Sequence, residues 1–275
     1  MPWREWPVPA GVQEKAVVIT VHGLSGAASD FWLLGERLPP QGCTVYGYEL
    51  RGQGNDPDKA KRGDIRSAKL WLQDLHAFHR LVKARHPGKP IIWYGESLGS
   101  LIALHTAVDY PGGPDGLVLA SPVAGLRQKI SPVQELALRG TSFVVPRVRL
   151  TLGGLAGVDE SKIRVTSTST HGGQMARTPH HVGEFSLRLL REIGSLIDRN
   201  PAAARRLSVP VLVLGSPHDV VSSPDQVQVL FGQIGSQDKV LHWYSRSYHL
   251  LLHDVQHDQV VADLEQWLGR VEQRK

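Results

Sequence analysis

Short runs of apolar and β-branched residues recur along the chain, and turn-forming residues bound each run. Runs of this length between turns are typical of strands that are buried on both faces of a parallel sheet. The pattern therefore predicts a mostly parallel sheet with strands at residues 16–21, 44–48, 90–94, 116–120, 209–214 and 239–244.

Helical periodicity occupies several of the intervals between these runs. Before Pro87 and Gly88, apolar residues recur three or four positions apart, at Ile65, Ala68, Leu72, Leu75, Phe78 and Val82. Residues 98–108 form an apolar run suited to a buried helix, and residues 255–271 are also helix-like. This alternation predicts an α/β fold with a doubly wound sheet and right-handed crossovers.

The alternation breaks between residues 122 and 200. This stretch is rich in Gly, Ser, Thr and Arg and has no clear strand pattern. Its helical apolar spacing lies mainly near its end, at Phe185, Leu189, Leu190 and Ile193. We therefore predict a core formed by residues 1–121 and 201–275, with residues 122–200 (the inserted region) lying over the sheet.

The inserted region also carries the excess positive charge of the chain. It contains 11 Lys and Arg against 6 Asp and Glu, which accounts for the whole net charge of +5. Such a bias could favour an anionic interface or an acidic ligand, but a solvated surface is the simpler interpretation. We predict no nucleic-acid partner, because no basic run is interleaved with aromatic residues.

The composition is that of a folded, soluble protein. With 275 residues, 41% of them hydrophobic and 21% charged, the chain is long enough for one large core. The first twenty residues contain no apolar segment typical of a secretory signal, and no run approaches the roughly 20 apolar residues of a spanning helix. The single cysteine, Cys43, fits a reducing compartment, and we expect a cytoplasmic protein.

The main catalytic motif is Gly-Glu-Ser-Leu-Gly at residues 95–99. Ser97 falls where a predicted strand meets a predicted helix, and so sharp a turn leaves room only for very small residues two positions before and after the serine. The hydroxyl would then project beyond the carboxyl ends of the strands, where open α/β folds bind ligands. This context predicts that Ser97 is a nucleophile.

A serine nucleophile needs a base to accept its proton and an acid to hold that base. In the fold that carries this motif, the acid and then the histidine follow the serine along the chain. Asp219 lies just after the fifth predicted strand, and His249 lies in a loop after the sixth. We therefore predict a triad of Ser97, Asp219 and His249.

Two further histidines offer an alternative interpretation. His253 and His257 follow His249 at spacings of four, which would place all three on one face of a helix. Such a stripe could suggest a metal site, but nothing else in the sequence supplies the obvious further ligands that a compact zinc site needs. The sequence therefore predicts neither a metal nor an organic cofactor.

An acyl-transfer site also needs donors for the oxyanion that forms during the reaction. Leu98 follows the nucleophile at the N-terminus of a predicted helix, where its amide and the helix dipole both favour negative charge. The second predicted donor is the amide of Leu24, in the sequence His22-Gly23-Leu24 after the first predicted strand. We expect the His22 ring to brace this loop rather than to take part in the chemistry.

Four segments together give a family resemblance that covers nearly the whole chain: VHGLSGAASDFWLLGERLPPQGCTVYGYELRGQGND, YGESLGSLIAL, VPVLVLGSPHDVVSSPDQ and YHLLLHD. With them the sequence resembles the α/β-hydrolase superfamily, and within it the monoacylglycerol lipase and lysophospholipase-like group of serine hydrolases. The resemblance implies an α/β-hydrolase fold with the triad Ser97, Asp219 and His249. It also implies oxyanion donors at Leu24 and Leu98, with the inserted region as the cap.

The chain departs from the usual residues of this group at four positions. Glu49 and Gln53 stand where Asp and His are common, Ser216 stands near a position often held by Gly, and Glu96 precedes the nucleophile where His is common. None of these departures removes a catalytic group, but Glu96 adds a carboxyl group beside Ser97. The inserted region matches the group poorly, and that is where substrate choice is usually determined.

The resemblance implies hydrolysis of a carboxylic ester through an acyl-enzyme. The expected partner is a small-molecule acyl ester, a monoacylglycerol or a similar medium-to-long acyl ester, with a lysophospholipid or a small ester as alternatives. An amide-cleaving aminopeptidase, a perhydrolase and a non-catalytic binding protein on this fold also stay open. Transient contact with a lipid interface through the cap is suggested by apolar residues among arginines, at Leu136, Leu138, Phe143, Val144 and Val145. The oligomeric state is not predicted.

Overall fold

A computed structural model describes residues 1–127, 140–156 and 159–272 of the protein. Its strands are β1 Trp3–Trp6, β2 Ala16–Val21, β3 Cys43–Tyr48, β4 Ile91–Glu96, β5 Gly116–Ala120, β6 Arg149–Leu150, β7 Phe185–Ser186, β8 Val211–Gly215 and β9 Lys239–Trp243. Its helices are α1 Trp32–Arg37, α2 Lys69–Arg85, α3 Leu98–Asp109, α4 Leu152–Ala156, α5 His171–Met175, α6 Leu187–Arg206, α7 Pro224–Gln233 and α8 His257–Glu272. Residues 140–144 are also helical.

The central sheet has seven strands in the order β1-β3-β2-β4-β5-β8-β9. All neighbouring pairs are parallel except β1 with β3, in which Trp3 lies opposite Tyr48. The mostly parallel, doubly wound sheet predicted from the sequence is therefore confirmed, and the ends of the six predicted strands differ from the observed ones by at most two residues. Strand β1 was not predicted, because it is a largely exposed edge strand with two charged residues and so lacks a buried run.

Helices cover both faces of the sheet and divide its core in two. On one face, alternate residues of β2 such as Ile19 pack with apolar residues of α2, α3, α6 and α7. On the other face, the intervening residues such as Val18 pack with α1 and α8. Because every position of β2, β4, β5 and β8 is buried, these strands show continuous rather than alternating apolar runs.

The inserted region contains regular structure that its sequence pattern did not predict. Strands β6 and β7 form a separate two-stranded antiparallel sheet. Two residues are too few to produce a recognisable pattern, so the sequence did not indicate these strands. Helix α6 starts after Ser186, whose hydroxyl accepts the Leu189 amide at 3.2 Å, and it continues past residue 200 to Arg206. Its buried face contacts α3, where His105 donates to the Leu196 carbonyl at 2.9 Å.

Within the described ranges, no helix has the length and apolar character needed to cross a membrane.

Candidate active site

Ser97 lies at the turn between β4 and α3, at the carboxyl end of a central strand. Its backbone has φ 53° and ψ −118°, a conformation that is rare for a residue with a side chain. A Cβ atom on Gly95 would lie 2.4 Å from the Gly99 carbonyl oxygen, and one on Gly99 would lie 1.9 Å from that of Val21. The turn therefore requires glycine at both positions. The half-buried Ser97 side chain lies beyond the carboxyl end of β4.

The structure brings Ser97, His249 and Asp219 together from three separate loops. The Ser97 hydroxyl lies 2.9 Å from Nε2 of His249, and Nδ1 of His249 lies 2.9 and 3.0 Å from the two carboxylate oxygens of Asp219. The bond at Nδ1 leaves Nε2 free to accept the serine proton. Asp219 is itself held, because its Oδ1 atom accepts the amide of Val221 at 2.7 Å.

The charge environment favours a protonated His249. Burial opposes the charged ring, but the attraction and hydrogen bond of Asp219, together with the nearby Glu96, outweigh burial and raise the pKa of His249 above its ordinary value. His249 is 7% and Asp219 is 2% exposed, so water screens this pair weakly. The pair can therefore stabilise the imidazolium ion that forms when the ring accepts a proton.

The loop after β2 comes close to Ser97. A Cβ atom on Gly23 would lie 3.1 Å from Cβ of Ser97, so glycine permits this close approach of the loop to the serine. Leu24 follows Gly23 in this loop, and Leu98, the other predicted oxyanion donor, is the first residue of α3. The buried His22 ring bridges the loop, since Nδ1 donates to the Gly23 carbonyl at 2.9 Å and Nε2 accepts the Leu50 amide at 3.0 Å. These contacts agree with the expected bracing role.

Two residues that depart from the family pattern also hold this loop. The side-chain oxygen of Gln53 accepts the Ser25 amide at 2.9 Å. The carboxylate of Glu49 accepts the amide of Asn55 at 3.1 Å and that of Ala28 at 3.3 Å. Both residues are buried, and these contacts give them a bracing function around the loop.

Glu96 is a buried carboxyl group next to Ser97. Burial raises its pKa to about 7, although the neighbouring His249 acts in the opposite direction. In the described part of the chain its Oε2 atom has no hydrogen-bond partner. Glu96 and Asp219 are thus two acidic groups that raise the pKa of His249. Within the described residues Asp219 bonds the ring, at 2.9 and 3.0 Å, whereas Glu96 acts through its charge.

The histidines that follow His249 do not form a stripe with it. His249 lies in a loop, His253 ends a single 3₁₀ turn, and His257 begins α8. The interpretation of one helical face was therefore wrong, because the chain becomes helical only after the loop that carries His249. In residues 1–127, 140–156 and 159–272, no group of three or more His, Cys, Asp or Glu side chains is arranged to hold a metal ion.

Sequence reasoning missed two residues that hold residues 247–250, which we call the base loop. The buried Ser121 donates from its hydroxyl to the His249 carbonyl at 2.5 Å. Ser216 donates to the carbonyl of Ser247, a bond that glycine at this position could not form. The departure at Ser216 was a signal of this role, whereas Ser121 had none in the local sequence.

Comparison with known proteins gives similarity along most of the chain. The model of the family described as serine aminopeptidase, S33, matches residues 12–256. A monoacylglycerol lipase of Mycolicibacterium smegmatis is 24% identical, covering 92% of this chain and 88% of its own. Phospholipase YtpA of Bacillus subtilis is 26% identical, with coverage of 89% and 92%. The crystal structure of a Paleococcus ferrophilus monoacylglycerol lipase matches with a TM-score of 0.82 at 21% identity over 98% of both chains, which confirms the predicted α/β-hydrolase fold.

Proposed function

Because the chain belongs to the family described as serine aminopeptidase, S33, we propose that it is a serine hydrolase that cleaves carboxylic esters through an acyl-enzyme on Ser97. The observation that carries this proposal is the continuous chain of hydrogen bonds from the Ser97 hydroxyl through His249 to Asp219. A serine at this strained turn, with a base within 2.9 Å, has the arrangement that nucleophilic catalysis requires.

In the proposed reaction, the Ser97 oxygen attacks the ester carbonyl carbon while His249 accepts the hydroxyl proton at Nε2. The amides of Leu24 and Leu98 would stabilise the oxyanion, and Asp219 would stabilise the protonated ring. The C–O bond to the alcohol then breaks, and the alcohol leaves with the proton from His249. Water, activated by the same histidine, hydrolyses the acyl-enzyme and returns Ser97 to its starting state.

The proposed substrate is a monoacylglycerol or a similar medium-to-long acyl ester. The names of the M. smegmatis and B. subtilis relatives support this class, and a lysophospholipid is the alternative that the second name favours. The family description favours a third substrate class, an aminoacyl amide, because the same triad can cleave either bond. The identity of the natural alcohol and acyl chain stays open within these classes.

We further propose that residues 122–200 act as a cap that touches lipid interfaces. Phe143 and Val144 are 72% and 81% exposed, and the Arg191 guanidinium lies 4.4 Å from the centre of the Phe143 ring. An apolar surface next to cations suits an anionic lipid surface. Leu136 and Leu138, which the sequence also suggested for this contact, lie outside the described residues.

The cytoplasmic location stays a prediction from the sequence.

A substrate panel tests the proposed reaction. Monoacylglycerols from acetyl to oleoyl, a lysophospholipid and an aminoacyl nitroanilide are incubated with the wild type, Ser97→Ala and the control Ser236→Ala. We expect Ser97→Ala to lower ester hydrolysis by at least about a thousandfold, with little change in the control. A fluorophosphonate probe should label Ser97 in the wild type. Full esterase activity in Ser97→Ala would reject the proposal. Activity of the wild type on the nitroanilide alone would show that the substrate is an amide rather than an ester.

The same panel includes a test of the lipid contact. Each ester is supplied both as single molecules and in anionic vesicles, and Phe143→Ser is compared with Val229→Ser, which removes an exposed apolar residue of α7. We expect Phe143→Ser to lower activity on the vesicles only. Equal effects of the two substitutions on vesicle activity would show that the exposed residues of the inserted region have no special role.

A further inference from the structure

Asp254 is a buried carboxylate that joins two distant parts of the chain. It accepts the Tyr248 amide at 2.8 Å, the Val255 amide at 2.8 Å, and both the amide and the hydroxyl of Ser167, at 2.9 and 2.5 Å. Burial disfavours the charge, but these bonds outweigh it and keep the pKa of Asp254 below its ordinary value. The carboxylate is therefore ionised at neutral pH, with donors from the base loop and from the inserted region.

The contacts of Asp254 bear directly on His249. Tyr248 immediately precedes His249, and its amide belongs to the Ser247–Tyr248 peptide unit, so Asp254 holds the backbone one unit before the residue that carries the ring. On the other side of His249, the Leu250 amide donates to the Val165 carbonyl at 3.0 Å. One short segment of the inserted region, residues 165–167, thus holds the base loop both before and after the histidine.

Together with Ser121 and Ser216, these contacts hold every residue of the base loop. Ser247 and His249 are held through their carbonyl groups by the two serines, which belong to the core. Tyr248 and Leu250 are held through their amides by Asp254 and by the inserted region. The inserted region thus bonds the backbone of the base loop through these amides, and its Arg164 also lies against the Tyr248 side chain.

We propose that Asp254 is a positioning residue for His249, and that Ser167 holds the Asp254 carboxylate in the orientation this requires. The inference rests on the proposed function, since it takes His249 to be the base. Ser167 acts on Asp254, Asp254 acts on the Tyr248 amide, and this contact restrains the backbone that leads into His249. The inserted region thereby contributes to the geometry of the triad without contacting the reacting atoms.

Loss of these bonds has a chemical consequence that differs from loss of stability. A shift of the ring by about 1 Å would lengthen the Ser97–His249 contact, and displacement of this size can lower the rate about 100-fold. The titratable groups that act on His249 are Asp219, Glu96 and His171. A ring displaced from Asp219 loses its main stabilising partner, so the pKa of His249 would fall. The acidic limb of the activity profile would then move to lower pH.

The first experiment compares Asp254→Asn with Asp263→Asn. The asparagine at position 254 keeps the size of the side chain but places an NH2 group where the structure needs an acceptor. We expect kcat to fall by about 10- to 100-fold with KM changed by less than about threefold, and the acidic limb to move to lower pH. Asp263 accepts the Tyr244 hydroxyl at 2.8 Å without contacting the base loop. Asp263→Asn should therefore change neither kcat nor the pH of the acidic limb.

The second experiment tests whether Ser167 acts through Asp254. Ser167→Ala should lower kcat several-fold and move the acidic limb in the same direction. The double variant should be no slower than Asp254→Asn alone, because residues that act in series give non-additive effects. Additive losses in the double variant would overturn the assignment.

The outcomes separate this proposal from the proposed function. A folded Asp254→Asn with wild-type kcat and an unchanged acidic limb would overturn the positioning role, while fluorophosphonate labelling of Ser97 in the wild type would leave the hydrolase proposal intact. Thermal melting establishes that each variant is folded at the assay temperature. Should Asp254→Asn not be folded, Ser167→Ala decides alone, and an unchanged kcat and acidic limb in that variant would overturn the proposal.

Discussion

The turn that carries Ser97 and the base loop that carries His249 are held in place by different interactions. At the turn, Gly95 and Gly99 permit main-chain contacts that no side chain would fit. In the base loop, the backbone is held by hydrogen bonds from side chains, among them Ser121 and Asp254. Ser97 is thus positioned by glycines that leave room for the neighbouring main chain, and His249 by polar side chains that bond its loop. Addition of a single carbon should therefore damage the turn, whereas removal of a single oxygen should damage the base loop.

Gly99→Ala has the largest expected effect. The added carbon would lie 1.9 Å from the Val21 carbonyl oxygen, which belongs to a central strand and cannot move aside as a flexible side chain can. We expect the free energy of unfolding to fall by more than about 3 kcal/mol, which can prevent folding altogether. Urea unfolding measures the effect.

Gly269→Ala is the matched control for that substitution. Gly269 lies inside helix α8, and apart from its chain neighbours and the backbone of its own helix, a Cβ atom there would meet no atom within 4 Å. Alanine favours a helix over glycine by up to about 1 kcal/mol, so this variant should be as stable as the wild type or more so. If both variants lost the same stability, the contrast between the turn and an ordinary helical glycine would be incorrect.

Glu96→Gln has the next largest expected effect, and it depends on pH. The pKa of Glu96 is raised by burial from 4.5 to about 7 in the folded state, so the folded protein holds this proton more tightly than the unfolded chain does. Ionisation of Glu96 therefore lowers the stability of the wild type as the pH rises through this interval, by at most about 3 kcal/mol. Glutamine does not ionise, and Glu96→Gln should be the more stable protein above pH 7.

Unfolding curves of the wild type and Glu96→Gln at about pH 5 and about pH 9 measure this difference. The advantage of the variant should be small at the lower pH and large at the higher one. Because the shape of the turn depends on its glycines, the variant should still hydrolyse esters, with its acidic limb moved to lower pH by the loss of a negative charge near His249. A stability difference that is equal at both pH values would show that Glu96 does not titrate in this interval.

The same contrast explains what the sequence could predict. The turn is defined within five residues, so Gly95, Ser97 and Gly99 form a local pattern between a strand and a helix. The bond from Ser121 to His249 spans 128 positions, and the bond from Ser216 to Ser247 spans 31. Contacts between such distant residues leave no periodicity or spacing in the sequence. The positions of Asp219 and His249 were predicted from chain order, but the groups that hold the base loop were not.

The fold shows the same limit. Strands β2, β4, β5 and β8 were predicted because burial on both faces requires continuous apolar runs. The edge strand β1 and the two-residue strands β6 and β7 were missed, since exposure or short length removes that requirement. Helix α6 begins in the predicted insertion and ends in the predicted core, because its apolar face continues through Leu196 and Ala203 against α3. The sequence therefore predicted the sheet and the helices that cover it better than it predicted the residue at which the inserted region ends and the core resumes.

Ser121→Ala has the smallest expected effect on stability. Compared with loss of a buried hydroxyl elsewhere, it tests whether the hydroxyl that bonds the base loop matters for activity. Removal of the buried hydroxyl leaves the His249 carbonyl without its donor at 2.5 Å, which should lower the free energy of unfolding by about 1 kcal/mol. Ser236→Ala removes another buried hydroxyl, which donates to the Asp238 carbonyl at 3.2 Å, and should cost a similar amount. Only Ser121→Ala should also lower kcat for ester hydrolysis, by about tenfold, because of these two hydroxyls only that of Ser121 bonds the base loop. Equal kcat in the two variants, measured beside their urea unfolding, would mean that the base loop keeps its geometry without this side chain.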